Sequence, residues 1–134
     1  MSSYNTLGIS RITKVVRDPN GIAAKRVAAY GDAVNTVQNP SGANAGMLAG
    51  VTYDGAEDGG AVALAEYAYP EIEAAAPIPY GAEVNVADVE GRIKAVNEAA
   101  GTLVTLVGVA EEEAMEAGKR IKVNVKRLGQ TKTV

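Results

Sequence analysis

Residues 121–126 read Ile-Lys-Val-Asn-Val-Lys, and this stretch decides the fold class. Ile121, Val123 and Val125 alternate with Lys122, Asn124 and Lys126. That is the period of a strand with one face buried and the other wet. Upstream, residues 103–109 form a short apolar run flanked by Gly101 and Gly108, which suits a buried strand. Residues 83–96 read as a hairpin: Val84 and Val86 alternate, Asp88-Val89-Glu90-Gly91 turns the chain, and the stretch from Arg92 returns. Residues 62–69 alternate again, with Val62 and Leu64 on one face and Ala63, Ala65, Tyr67 and Tyr69 on the other. Residues 26–30 and 33–38 are short β-prone pieces, and residues 39–46 are a loop. Asp18-Pro19-Asn20-Gly21 is a strong turn signal, because Pro presets φ and Asn-Gly tolerates positive φ. Pro77 and Pro79 keep residues 74–81 out of the centre of any sheet.

One stretch resists the β reading. Residues 110–117, Ala-Glu-Glu-Glu-Ala-Met-Glu-Ala, are strong helix formers followed by Gly118 at a C′ position. They predict a short helix of about two turns. The expected fold is therefore mainly β: a small β-barrel or β-tulip-like domain with at most one or two short helices. Residues 1–19 read as an extended N-terminal arm that pairs where something offers it an edge. Residues 20–128 form the β-rich domain, and residues 129–134 a polar C-terminal tail.

Composition narrows the chemistry. The 134 residues include no Cys and no His. Disulfides, thiolate metal sites, cysteine nucleophiles and histidine bases are thereby excluded. Ala contributes 24 residues and Val 17, and the aromatics are six Tyr. A core of such small side chains buries little area per residue, at about 25 cal/mol per Å², so the chain gains from a partner surface. The net charge of −3 hides a pattern. Residues 1–30 carry five Lys/Arg against one Asp, residues 31–118 carry fifteen Asp/Glu against two Lys/Arg, and residues 119–134 carry six Lys/Arg and no acid. Basic ends around an acidic middle suit docking on an acidic surface, or mutual neutralisation within or between copies.

No residue set carries catalytic chemistry. Asp54 with Glu57 and Asp58, Glu71 with Glu73, and Glu111 to Glu113 lie in polar loop-like sequence, where all would ionise. The 54–58 cluster lacks the spacing of a calcium loop. No cofactor motif and no phosphate loop is present. Nucleic acid is not an expected partner, since the basic segment 119–132 has no aromatic side chain on which a base could stack. Nor is a membrane: no run approaches the ~18 apolar residues of a spanning helix, and no secretory h-region follows Met1.

A faint internal echo appears. Gly50-Val51, an acidic linker, Gly60 and a strand recur as Gly108-Val109, an acidic linker, Gly118 and a strand. With Gly81-Ala82-Glu83-Val84 and Asp88-Val89-Glu90-Gly91-Arg92 between them, residues 48–125 resemble the head decoration, or capsid cement, proteins of tailed bacteriophages. Residues 71–80, with two prolines, depart from that pattern, and the N-terminal arm has no counterpart in it. The resemblance implies a non-enzymatic virion protein made in the bacterial cytoplasm. It would trimerise, sit on the outer surface of the expanded icosahedral head and clamp neighbouring major capsid subunits. Its partners are then the major capsid protein and its own copies, with no cofactor. Tyr4, Ile9, Arg11, Ile12 and Lys14 of the arm are the expected capsid contacts, although Ile9 and Ile12 equally suit packing on their own barrel. Tyr67, Tyr69 and Tyr80 suit either a subunit interface or the core. The rival readings are a spike or tail-associated module, a small trimeric β enzyme using carboxylates alone, and a carbohydrate- or partner-binding module.

Overall fold

The structure, a computed structural model, describes residues 12–65 and 69–134. Eleven strands are formed among them: β1 (Ile12–Val16), β2 (Val27–Tyr30), β3 (Thr36–Gln38), β4 (Leu48–Thr52), β5 (Ala61–Ala65), β6 (Glu71–Glu73), β7 (Glu83–Val86), β8 (Ile93–Ala95), β9 (Leu103–Ala110), β10 (Arg120–Asn124) and β11 (Thr131–Thr133). Strands β1 to β5 close into a barrel in the order β1-β3-β2-β4-β5. Strand β1 runs antiparallel to β5 and parallel to β3, and the other pairs are antiparallel. The lumen is filled by Val16, Ile22, Ala28, Val37, Ala49, Val62 and Leu64, with Ala56 packed against them. Small β-branched and Ala side chains suffice because a five-stranded barrel leaves a narrow interior.

Strands β6 to β11 form a six-stranded sheet that repeats this design and curls into a second barrel, closed by one isolated bridge rather than by a full strand pair. The order is β6-β10-β9-β7-β8, with β11 on β9, and the closing bridge, the parallel Ala74↔Ile93, links the β6 end to β8. The registers coincide position by position. Val27↔Val51, Ala28↔Gly50 and Ala29↔Leu48, with a bulge after Ala28, recur as Glu83↔Val109, Val84↔Gly108 and Asn85↔Leu106, with a bulge after Val84. Val51↔Ala65 and Thr52↔Leu64 recur as Val109↔Asn124 and Ala110↔Val123. The isolated bridge Ile22↔Ala56 recurs as Ile78↔Ala114. Every lumen residue of the first barrel thus has a buried counterpart in the second: Ala74, Ile78, Val84, Ile93, Val107, Ile121, Val123 and Ala114. Even the close approaches match. A Cβ on Gly50 would lie 2.9 Å from the Ala65 carbonyl oxygen, and one on Gly108 only 2.0 Å from that of Asn124. Glycine is needed at both places so that the next strand can cross.

The two halves share one core. The outward face of the first barrel, Val27, Leu48, Val51 and Ala65, joins the same apolar cluster as Ile72, Val86 and Val125 of the second. Asn44, with φ of 54°, pins this junction. Its backbone N–H donates to Val86 (2.8 Å), its Oδ1 accepts from the Thr105 N–H (2.8 Å), and its Nδ2 donates to the Leu103 carbonyl (2.9 Å). One side-chain amide thereby imitates a peptide unit against β9. Arg26 reaches across to Glu73 at 3.3 Å.

Several stretches differ from the reading of the sequence: residues 33–35, read as part of a β-prone piece, are a turn, and Glu71 and Glu73, read as loop-like, lie in β6. Residues 110–117 contain no helix: Ala110 ends β9, and Ala114 exchanges two backbone bonds of 2.9 Å with Ile78. Helix propensity yields there to tertiary pairing, because Ala114 is buried under the second barrel at the position where Ala56 packs, partly buried, under the first. Residues 12–16, read as part of an arm, are a barrel stave paired on both edges. Residues 131–133, read as tail, form β11 on the β9 edge.

Candidate interaction surfaces

One end of the first barrel carries exposed large side chains. Along β1, Ile12 and Lys14 pair with Leu64 and Val62, whose side chains fill the lumen. Ile12 and Lys14 therefore lie on the lumen side, stacked above Val16 towards the open end. The Lys14 ammonium stands 5.9 Å from the centre of the Tyr30 ring, within cation–π range. Their counterparts by register in the second barrel are Ile72 and Val86, both fully buried against the first. The same backbone position is thus apolar where it is covered and Lys–Tyr where it is open.

From Tyr30 an open cleft runs to Met47, lined also by Gly31, Asp32, Gln38 and Gly46. The Tyr30 N–H donates to the Met47 carbonyl (2.9 Å), which ties β2 to the entry of β4. Met47 is 76% exposed and held at φ 59°, a left-handed conformation that a long side chain seldom adopts. Beside it the β2–β3 turn projects Val34, 96% exposed. Tyr and Met are enriched where surfaces meet partners, and a lone exposed Val needs no explanation until it joins such a group. Neither Tyr30, Val34 nor Met47 was singled out by the sequence. The sequence places residues 33–38 in a β-prone piece, whereas the structure turns at residues 32–35, as it does at the counterpart residues 88–91.

Of the residues expected to touch the capsid, Tyr4, Ile9 and Arg11 lie outside the described residues, as does Tyr67 of the proposed subunit interface. Tyr69 follows β5 and is 49% exposed, and Tyr80, between β6 and β7, is 72% exposed. Neither is a core residue.

The carboxylates with shifted acidity are pushed down rather than up. Burial raises Glu98, but bonds from Lys94 (2.8 Å) and Asn85 (3.1 Å) outweigh it and hold the group ionised. Burial likewise raises Asp18, and three bonds from Asn20 and Asn39 override it. A hydrogen bond from Lys132 (2.5 Å), helped by Arg127 (3.0 Å), lowers Glu83. Each of these groups is tuned to stay charged and to hold neighbouring segments. A carboxyl tuned to donate a proton would be shifted the other way. Among the described residues no group of three or more acids is arranged to hold a metal ion.

Comparison with known proteins gives the fold a precedent. No family model and no curated protein matches the chain. Among solved structures it is similar to the head fiber gp8.5 N base of bacteriophage phi29, with a TM-score of 0.67, 18% identity, and coverage of 90% of this chain and 98% of that one. The likeness is one of fold, and it spans both barrels.

Proposed function

We propose that the protein is a non-enzymatic structural component of a phage head. It is mounted as a homotrimer on the outer surface of the expanded shell, where it bridges neighbouring major capsid subunits. The observation that carries this reading is the likeness, over nine-tenths of the chain, to the base of a phage head fiber. Three features support it. The chain has no His or Cys, and its shifted carboxylates serve as structural anions. The basic segment 1–30 suits an acidic shell, with Tyr4, Ile9, Arg11, Ile12 and Lys14 as contacts. Three weak contacts borne by one trimer gain through effective concentration, and binding only the expanded lattice stabilises that state by mass action.

A second reading is a fiber base rather than a cement: a plinth that carries a projecting element and adds little to shell strength. It is favoured by the neighbour itself, which is the base of a fiber. Co-sedimentation with compact proheads and with expanded empty heads tests the shared claim. Saturable binding to expanded heads at three copies per site is expected, and no binding to either form contradicts it. Shells with and without the protein, heated in parallel, then separate the two. A cement raises the shell's disruption temperature and a fiber base leaves it unchanged.

A further inference from the structure

The two barrels dock through a tip and a cleft, and the repeat leaves one of each unused. The turn 88–91 between β7 and β8 lies on the first barrel. The Gly91 carbonyl accepts from the Val27 N–H (2.8 Å), and the Arg26 guanidinium donates to the Glu90 carbonyl (3.1 Å). Gly91 is so close that a Cβ there would stand 2.3 Å from the Val27 carbonyl oxygen. The receiving surface is formed by Arg26, Val27 and Asn39.

By register, Arg26, Val27 and Asn39 correspond to Ala82, Glu83 and Ala95 of the second barrel. These residues, with Val96, Lys132 and Val134, line a cleft of about 320 Å³ that is open and more apolar than polar. By the same register, the 88–91 tip corresponds to residues 32–35. Both turns begin with Asp and are closed by the same backbone bond, Gly31 to Thr36 (2.9 Å) and Ala87 to Arg92 (2.8 Å). All four residues of the 32–35 tip are exposed, Val34 almost completely.

We propose that the 32–35 tip of one copy seats in the 82–83/95–96 cleft of the next. The occupant is a second copy because the contact already exists once within the chain, between equivalent surfaces. Charge agrees. Arg127 and Lys132 both bind Glu83, leaving the rim one cation in excess, and the tip brings Asp32. Asn35 carries a side chain where Gly91 has none, so the tip stands further off and Val34 fills the gap over Ala95 and Val96. Tip and cleft are different patches, so the contact is heterologous, the kind that builds a ring when its rotation closes and a filament when it does not. Closure at three copies rests on the trimer proposed above, whereas the contact itself does not.

Sedimentation equilibrium of the full chain tests this. Val34→Asp spoils the tip and leaves the cleft, and Val96→Glu spoils the cleft and leaves the tip. Each should weaken self-association at least about tenfold, the size of losing one buried apolar contact of ~1.4 kcal/mol. Circular dichroism and melting confirm that each variant folds. An equimolar mixture, with one good tip and one good cleft per pair, should form dimers and stop there. As the chain has no Cys, a V34C/V96C double variant should crosslink between copies on oxidation without a background. A trimer that survives Val34→Asp, or a trimeric V34C/V96C variant that fails to crosslink on oxidation, overturns the contact while the trimer stands. A wild-type chain that stays monomeric at every concentration overturns both, and head binding remains a separate readout.

Discussion

Replacing Asn44 by Ala tests whether the two barrels are held as one unit. The amide satisfies the Thr105 N–H and the Leu103 carbonyl, at 2.8 and 2.9 Å, and lies 3.4 Å from the Asn85 Nδ2. Removing it leaves a part-buried donor unpaired, which costs about 1–2 kcal/mol. The Leu103 carbonyl is nearer solvent and contributes less. The backbone sits at φ 54°, where Ala pays about 1 kcal/mol more than a residue suited to the left-handed region. The total is about 3 kcal/mol. For a domain of this length that lowers the melting temperature by roughly 10 °C. The assay is thermal and urea unfolding followed by far-ultraviolet circular dichroism. Asn44→Gly separates the terms: it relieves the backbone cost and should recover about 1 kcal/mol of the loss. An Asn44→Ala variant within 0.5 kcal/mol of wild type would show that the amide does not hold the junction, and so would full recovery in Asn44→Gly, which would leave the amide bonds with no net effect.

Gly108→Ala forces a Cβ to 2.0 Å from the Asn124 carbonyl oxygen; it should yield no folded protein, whereas Gly118→Ala, where a Cβ meets open space at φ 90°, should cost only about 1–2 kcal/mol, as expression and melting would show. Leu64→Ala empties the centre of the first barrel and should cost about 2–5 kcal/mol by urea unfolding; a cost below 1 kcal/mol would mean that the barrel is not packed as described. Asp18, Glu83 and Glu98 have folded pKa values below their ordinary values of 3.8 and 4.5. Their stabilisation is present above those values and is lost as pH falls through the lower folded ones. The melting temperature should therefore be flat from pH 5 to 8, there being no His, and should fall below about pH 4.5, less steeply in Glu98→Gln.

Much of the fold is legible from local pattern. Strand β10 announces itself because one face is wet, so alternation survives, and the β7–β8 hairpin through its Asp88–Gly91 turn, since Asn85 on the outward face of β7 is itself buried. Strands β6 and β11 are three residues each, too short for any period to show. The Gly50/Gly108 echo is visible because steric contact permits no other residue at either position. The rest of the repeat is invisible because its two copies face different surroundings. Val27 stands opposite Glu83, Lys14 opposite Ile72 and Tyr30 opposite Val86, each pair sharing a backbone position and differing in what covers it. The misread helix has the same origin: Ala114 is chosen for its small volume under Ile78, and helix propensity comes with Ala unasked. The exposed group on the first barrel is least legible. Residues 1–30 stand out through charge, but Tyr30, Val34 and Met47 stand out through exposure, which emerges only when the barrels are placed.

The proposed place on the phage head is tested most directly by electron cryomicroscopy of expanded heads with and without bound protein. Added density of three subunits is expected on the outer surface, at three-fold or quasi-three-fold positions and touching adjacent capsid subunits. Difference density confined to the tail, or none on saturated heads, would contradict it.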